Sequence, residues 1–260
     1  LTRLTLPTTD EKDMRKTLKS LLPKLKLVEL TLHEVFFTPE HVHLESHLAS
    51  LLPRLTRLHT LNIEANSFSH DQSKEIVEKV FTAIATCSNL TRLALSGGVA
   101  LAYLEKSYWE SEDQLPTQLK SLQIHPRRGK VARKFAIPDA KFASLTNLTC
   151  LSLRNTVLPD FALVSDLPNL TQLDLCQCSM GDEGFLELAQ ALIHLKHLSI
   201  LDLRRNQVKR RGISQIAASL CELPLTVLHL DQNAVTNAED LSDALSRLSL
   251  LRELTLDSCQ

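Results

Sequence analysis

The stretch that decides the fold is Leu170-Thr171-Gln172-Leu173-Asp174-Leu175-Cys176-Gln177-Cys178. Leu173 and Leu175 are two apart, the spacing that puts both side chains on one side of a short strand. Leu170 faces the same core where the chain enters that strand. Three residues after Leu175 comes Cys178, a small group with a weak donor that suits a tight buried turn. The same order recurs at 198–206, 225–233 and 251–259, where the turn slot holds Asn206, Asn233 and Cys259. An asparagine there can bond the backbone of its own turn and of the neighbouring coil.

Working outward, the pattern Leu-x-x-Leu-x-Leu/Ile occurs ten times, starting at Leu1, Leu27, Leu58, Leu90, Leu119, Leu148, Leu170, Leu198, Leu225 and Leu251. The last slot is Ile only at Ile63 and Ile124. One such strand buries too little apolar surface by itself, so the strands are expected to stack in parallel into a continuous core. Helical stripes lie between them. Residues 182–195 carry Phe185, Leu186, Leu188, Ala189, Leu192 and Ile193 near the helical period. Ile213, Ile216, Ala217 and Leu220 continue the stripe in the next unit, and Leu241, Ala244, Leu245 and Leu248 in the one after. Residues 71–86 present Ile76, Val77, Val80, Phe81 and Ile84. Asp182 and the run 237–240 place capping and acidic residues at helix starts. Units of 26–29 residues leave room for a full helix, which predicts an α/β solenoid. About ten parallel strands would line the concave face of a horseshoe, with helices on the convex face.

Composition agrees with a repeat. About one residue in five is leucine, roughly double ordinary usage. Gly is scarce at 6, which disfavours phosphate-cradling loops, and the formal net charge of -1 argues against a polybasic nucleic-acid or membrane-surface protein. No apolar run approaches the ~18 residues of a membrane span. The cysteines at 87, 150, 176, 178, 221 and 259 fit no disulfide framework of a small secreted domain, so free thiols and a cytoplasmic location are expected. The sequons at Asn89, Asn147 and Asn169 all read Asn-Leu-Thr at one phase of the repeat and are explained by it. The chain starts without Met and stops just after a strand, which reads as a trimmed chain with flanking sequence missing.

Leu-x-x-Leu-x-Leu-x-x-Asn/Cys in units near 28 residues resembles the leucine-rich repeat family, in its ribonuclease-inhibitor-like subtype, over essentially the whole chain. Val35, Gly98, Arg127 and Thr156 stand where Asn or Cys belongs, so those turns must be satisfied otherwise. The unit starting at Leu148 is short, so 157–167 is expected to hold a shorter helix or an irregular turn. The resemblance implies a binding scaffold. Inhibition of an enzyme by covering its active-site cleft is the concrete mode it suggests. A non-inhibitory adaptor, such as a bacterial effector acting in host cytoplasm, and a sensor domain of a larger receptor or ligase are the alternatives.

The chain is read as one domain over 1–260, interrupted at 99–118 and 125–142. The first interruption holds Tyr103, Tyr108 and Trp109, every Tyr and the single Trp of the protein. They form either a contact patch, as aromatics do at binding hot spots, or the packed side of one helix. The second carries Arg127, Arg128, Lys130, Arg133 and Lys134 with a Pro and a Gly, either a loop that docks on an acidic partner or a solvated one. Strand residues between the leucines point away from the core. Arg154, Asp174, Asp202, Arg204, Arg205, His229, Asp231 and Asp257 make the C-terminal half of that face charged. These, with the aromatics and Arg127 and Arg128, are the candidate partner-binding residues. The partner is expected to be another protein and the chain a monomer by itself, with no nucleic acid, membrane or cofactor.

No catalytic constellation emerges. His43 and His47 are four apart, but a zinc site needs a third ligand and none has diagnostic spacing. The order His-x-x-x-His without Glu beside the first His is not that of a metalloprotease. Cys178 belongs to the turn slot, and Cys176 has no base that sequence places beside it. The chain is therefore not expected to be an enzyme or to bind metal.

Overall fold

A computed structural model of the chain describes residues 2–6, 26–37, 48–68, 74–98, 115–126, 142–158, 161–234 and 239–257. The chain groups into two compact units, Leu1–Arg127 and Arg128–Gln260, divided within the interruption read at 125–142. Unit 1 holds β1 (Arg3–Leu6), β2 (Glu29–Phe37), β3 (Thr60–Phe68), α1 (Lys74–Ala85), β4 (Arg92–Gly97) and β5 (Ser121–Pro126). Unit 2 holds β6 (Cys150–Ser152), α2 (Ala162–Ser165), β7 (Gln172–Asp174), α3 (Gly181–Leu192), β8 (Ile200–Asp202), α4 (Arg210–Leu220), β9 (Val227–His229), α5 (Glu239–Arg247) and β10 (Glu253–Thr255). Within each unit, strands pair in parallel with their chain neighbours.

The register is the repeat itself. Leu30 pairs with Leu61, Leu61 with Leu93 and Leu93 with Leu122. In unit 2, Leu151, Leu173, Leu201, Leu228 and Leu254 align in the same way. Except at the first and last strands, the motif leucines and isoleucines are at most 2% exposed. The helices close that core from the other side. Phe185, Leu188 and Leu192 of α3, Ile213, Ile216 and Leu220 of α4, and Leu241 and Ala244 of α5 are all buried. Two residues of the α3 stripe differ from the sequence reading. Leu186 and Ile193 are 39% and 45% exposed. They lie seven apart on one flank, outside the arc that Phe185, Leu188 and Leu192 turn to the core.

A further periodic position connects helix to strand. Leu195 N–H donates to Leu192 O and Leu198 N–H to Leu195 O, two successive three-residue turns. Val164, Leu167 and Leu170 repeat the step, as do Phe142, Leu145 and Leu148. At three residues per turn, side chains three apart eclipse, so each descends into the same core. Cys87 occupies this slot in unit 1, and burial pushes its thiol up to about 11.

The turns after β6, β7, β8 and β9 are held by a ladder of polar side chains. Asn206 Nδ2 donates to Leu175 O of the preceding repeat at 2.8 Å and to Leu203 O of its own at 2.9 Å, while its Oδ1 accepts from Cys178 N–H at 2.8 Å. Asn233 repeats this one repeat later, bonding Leu203 O, Leu230 O and Asn206 N–H. Cys178 Sγ donates to Leu153 O at 3.0 Å. Thr156, which breaks the Asn/Cys rule, is fully buried, and its hydroxyl bonds Leu153 O at 2.6 Å. The residue before each ladder position (Asn155, Gln177, Arg205, Gln232) has φ between 56° and 62°. Its N–H reaches the next repeat, as Arg205 N–H does to Asp231 O at 2.9 Å. The short unit holds the four-residue α2, matching the shorter helix expected there. The sequons also have structural work: Asn89 Nδ2 donates to Thr56 O and Asn169 Nδ2 to Thr146 O, each in the preceding repeat.

Candidate functional site

Alternation along a strand leaves one face of each unit's sheet free of the leucine core, and this open face is where strand side chains are on offer. In unit 1 it is mostly uncharged. Asn62 donates to Thr31 Oγ1 at 3.1 Å, Ala94 and Gln123 follow in register, and the described ion pairs there are Arg3 with Glu29 and His33 with Glu64.

Unit 2 is different. Its strands and the turns after them carry eight of the predicted residues: Arg154, Asp174, Asp202, Arg204, Arg205, His229, Asp231 and Asp257. Tyr103, Tyr108, Trp109, Arg127 and Arg128 lie outside the described residues, as do His43 and His47. Two groups form on this face. In the first, Asp202 is the hub. Arg204 Nε and Nη2 clasp its two oxygens at 2.9 and 2.5 Å. Arg154 Nε bonds Asp174, and Arg154 Nη2 lies 3.7 Å from Asp202 Oδ2. Ser152 Oγ donates to Asp174 at 2.9 Å. The acids are also tied to backbone, Asp174 to Cys176 N–H and Asp202 to Arg204 N–H, each at 3.1 Å.

Burial sorts these residues into two layers. The side chains of Asp202 and Asp174 are 6% and 20% exposed, against 35% and 46% for Arg204 and Arg154. Asp202 is therefore nearly covered on this face, and it holds guanidiniums that stay more exposed than it is. The Asp202 bonds raise the basicity of Arg204 above the ordinary arginine range, outweighing partial burial. Burial alone lowers that of Arg154, but the Asp174 bond and the Asp174 and Asp202 charges more than offset it. Both stay cationic. Arg205 makes no side-chain bond among the described residues, and its left-handed turn fixes where the side chain leaves the backbone.

The second group runs over β9 and β10. Thr255 hydroxyl donates to Asp231 Oδ2 at 2.5 Å, and Asp257 N–H donates to Asp231 Oδ1 at 2.6 Å. Thr255 Oγ1 then accepts from His229 Nδ1, 3.0 Å away, which puts a proton on that nitrogen. His229 Nε2 lies 3.9 Å from Glu253. Slight burial opposes ionisation of Asp231, yet the two hydrogen bonds and the nearby Arg204 and His229 hold its pKa below the usual carboxylate value.

Cys176 lies between the arginines in register. Burial first, then the charges of Asp202 and Asp174, push its thiol up, against the smaller opposite pull of Arg204 and Arg154. A neutral thiol is the wrong form for a nucleophile or a metal ligand. Among the described residues no group of three or more His, Cys, Asp or Glu could hold a metal ion, and no helix is long and apolar enough to cross a membrane. Sequence reading named the charges of this face but missed Ser152, Thr255 and Glu253 as their braces. The signal available for two of them was position, since Ser152 stands in register with Asp174 and Thr255 with His229; Glu253 is in register with Val227 and reaches His229 diagonally.

No family model matches the chain, and no curated protein matches it. Solved structures do. The leucine-rich repeat-containing protein LegL7 from Legionella pneumophila is 18% identical over 98% of this chain and 83% of its own, with a TM-score of 0.55. An internalin, InlF, from Listeria monocytogenes is 16% identical over 95% of this chain and 94% of its own, with a TM-score of 0.44. The likeness to the Legionella protein, together with the in-register leucines, gives the architecture its name: an α/β leucine-rich repeat solenoid.

Proposed function

We propose that this chain is a non-catalytic protein-binding scaffold, that its partner docks on the open face of unit 2, and that binding inhibits an enzyme by covering its active site. The observation that carries the reading is the Arg154–Asp174–Asp202–Arg204 cluster. Its charged groups are fixed before any partner arrives, so little side-chain entropy remains to be lost on binding. The long helix-bearing repeats support the ribonuclease-inhibitor-like subtype. Cys178 acts as an S–H donor at 3.0 Å, and a buried thiol used in this way suits a reducing compartment such as the cytoplasm.

The test is crosslinked capture with the wild-type chain and with Arg204→Glu, followed by an assay of the captured partner. Loss of a specific partner on reversal of Arg204 is expected, as is a stoichiometric fall in that partner's activity. A saturated partner that keeps full activity sinks inhibition and leaves the adaptor reading. A partner retained by Arg204→Glu and lost in Trp109→Ala moves the interface to 99–118.

A further inference from the structure

The arginine cluster poses a narrower question: which chemical group does it receive? Its formal charge sums to zero, with Arg154 and Arg204 against Asp174 and Asp202. The Nε–Nη2 edge of a guanidinium is one of the edges by which arginine chelates a carboxylate. That edge is filled on both arginines, by Asp202 on Arg204 and by Asp174 and Asp202 on Arg154. An incoming anion would also meet the two aspartates, whose effect at the neighbouring Cys176 thiol outranks that of the arginines. The Arg154 and Arg204 side chains stay 46% and 35% exposed, so guanidinium surface is left on offer, held by acids that are themselves tied to backbone. Such surfaces stack on aromatic rings, and a braced one gives up little freedom or hydration in doing so. Cys176, small and half-buried between the two arginines in register, adds a polarisable sulfur rather than a charge.

We propose that the Arg154–Asp202–Arg204 cluster is a stacking platform for an aromatic side chain of the protein partner, and not a counter-ion site. The proposal rests on the reading that this face binds protein. The probe is N-acetyltryptophanamide, titrated into the full chain alongside sodium acetate and inorganic phosphate, with the arginine Nε–H signals followed by NMR. The expected result is a saturable upfield ring-current shift of the Arg154 and Arg204 signals with the indole alone. It should persist as NaCl rises from about 0.05 to about 0.5 M, a range that screens ion pairing. Arg154→Lys and Arg204→Lys keep the charge and lose the planar face, and each should weaken the shift's affinity by about fivefold or more. Because Arg204→Lys disturbs a buried carboxylate, unfolding midpoints accompany both variants; the more exposed Arg154→Lys stands as the second measure. Tighter binding of acetate or phosphate at these arginines overturns the proposal, and so does an indole that leaves them unshifted. If the indole fails here while Arg204→Glu still loses the captured partner, the platform is wrong and the binding face survives. If neither responds, the face itself is wrong.

Discussion

Asn206 makes its two principal amide donations and its carbonyl acceptance inside the protein, each to a backbone group that has no water to turn to. Asn206→Ala leaves Leu175 O and Cys178 N–H short of a partner, while Leu203 O keeps the bond from Asn233, and a buried unsatisfied group costs about 1–3 kcal/mol. The expected loss is about 2 kcal/mol or more, read as a lower urea midpoint at unchanged slope. An Asn206→Ala midpoint within error of wild type would mean the ladder is decorative. This residue was legible because its slot recurs with the leucines and its amide carries both donor and acceptor. The burial of Asp202 was not legible for the opposite reason: alternation tells which face a side chain leaves from, not that Arg204 of its own repeat and Arg154 of two repeats earlier lie against it. At Asp231 the residue scale also sets a pH dependence. Its folded pKa lies below the unfolded value, so the unfolded chain binds more protons and stability falls as pH drops through the acid range. Wild type should therefore lose more stability than Asp231→Asn between about pH 5 and pH 2, in paired thermal melts. Parallel curves would remove Asp231 from the acid response.

At the scale of the element, the start of α4 shows how one repeat builds the next. Its N-cap residue, Lys209, makes no side-chain capping bond, and the first turn holds Arg210 and Arg211 with no acid to offset the helix dipole. Asp182, from the first turn of α3 in the preceding repeat, supplies what is missing. Its Oδ1 accepts from Lys209 N–H at 2.8 Å and from Gly212 N–H at 3.1 Å. The approach works only because residue 212 has no side chain. A Cβ there would stand 2.4 Å from Val208 Cγ2 and 2.7 Å from Asp182 Oδ1. Asp182→Ala should thus cost about 1 kcal/mol, the usual worth of a cap. Gly212→Ala should destabilise, reversing the gain of about 1 kcal/mol that alanine normally brings to a helix interior. Chemical denaturation of both variants measures this, and a stabilised Gly212→Ala would refute the close approach. The sequence placed an acid at Asp182 and assigned it to its own helix. Which helix it caps depends on contact between residues 27 and 30 positions apart, which a local pattern does not encode.

Across the whole molecule, the leucine motif repeats the same core positions ten times, yet burial is unequal within each unit. In unit 1, Leu30, Leu61, Leu93 and Leu122 are at most 1% exposed, while Leu4 and Leu6 are only half-buried. In unit 2, Leu151, Leu173, Leu201 and Leu228 are fully buried, while Leu254 and Leu256 are 37% and 39% exposed. The motif fixes which residue faces the core; how much core lies over it differs from strand to strand. A repeat's stability is close to the sum of its own term and its nearest-neighbour contacts, so the strands whose leucines are least covered should open first. The backbone bonds make this measurable residue by residue. Leu175 N–H donates to Asp202 O and Leu203 N–H to His229 O, both between well-covered strands. Leu230 N–H donates to Thr255 O of β10, beside the exposed leucines. Native-state hydrogen exchange should find Leu175 and Leu203 strongly protected, and Leu230 exchanging at least about tenfold faster, the equivalent of about 1.4 kcal/mol in opening free energy. Equal protection at all three amides would show that unit 2 opens as one block, and that the exposed leucines of β10 do not weaken the strand they sit on.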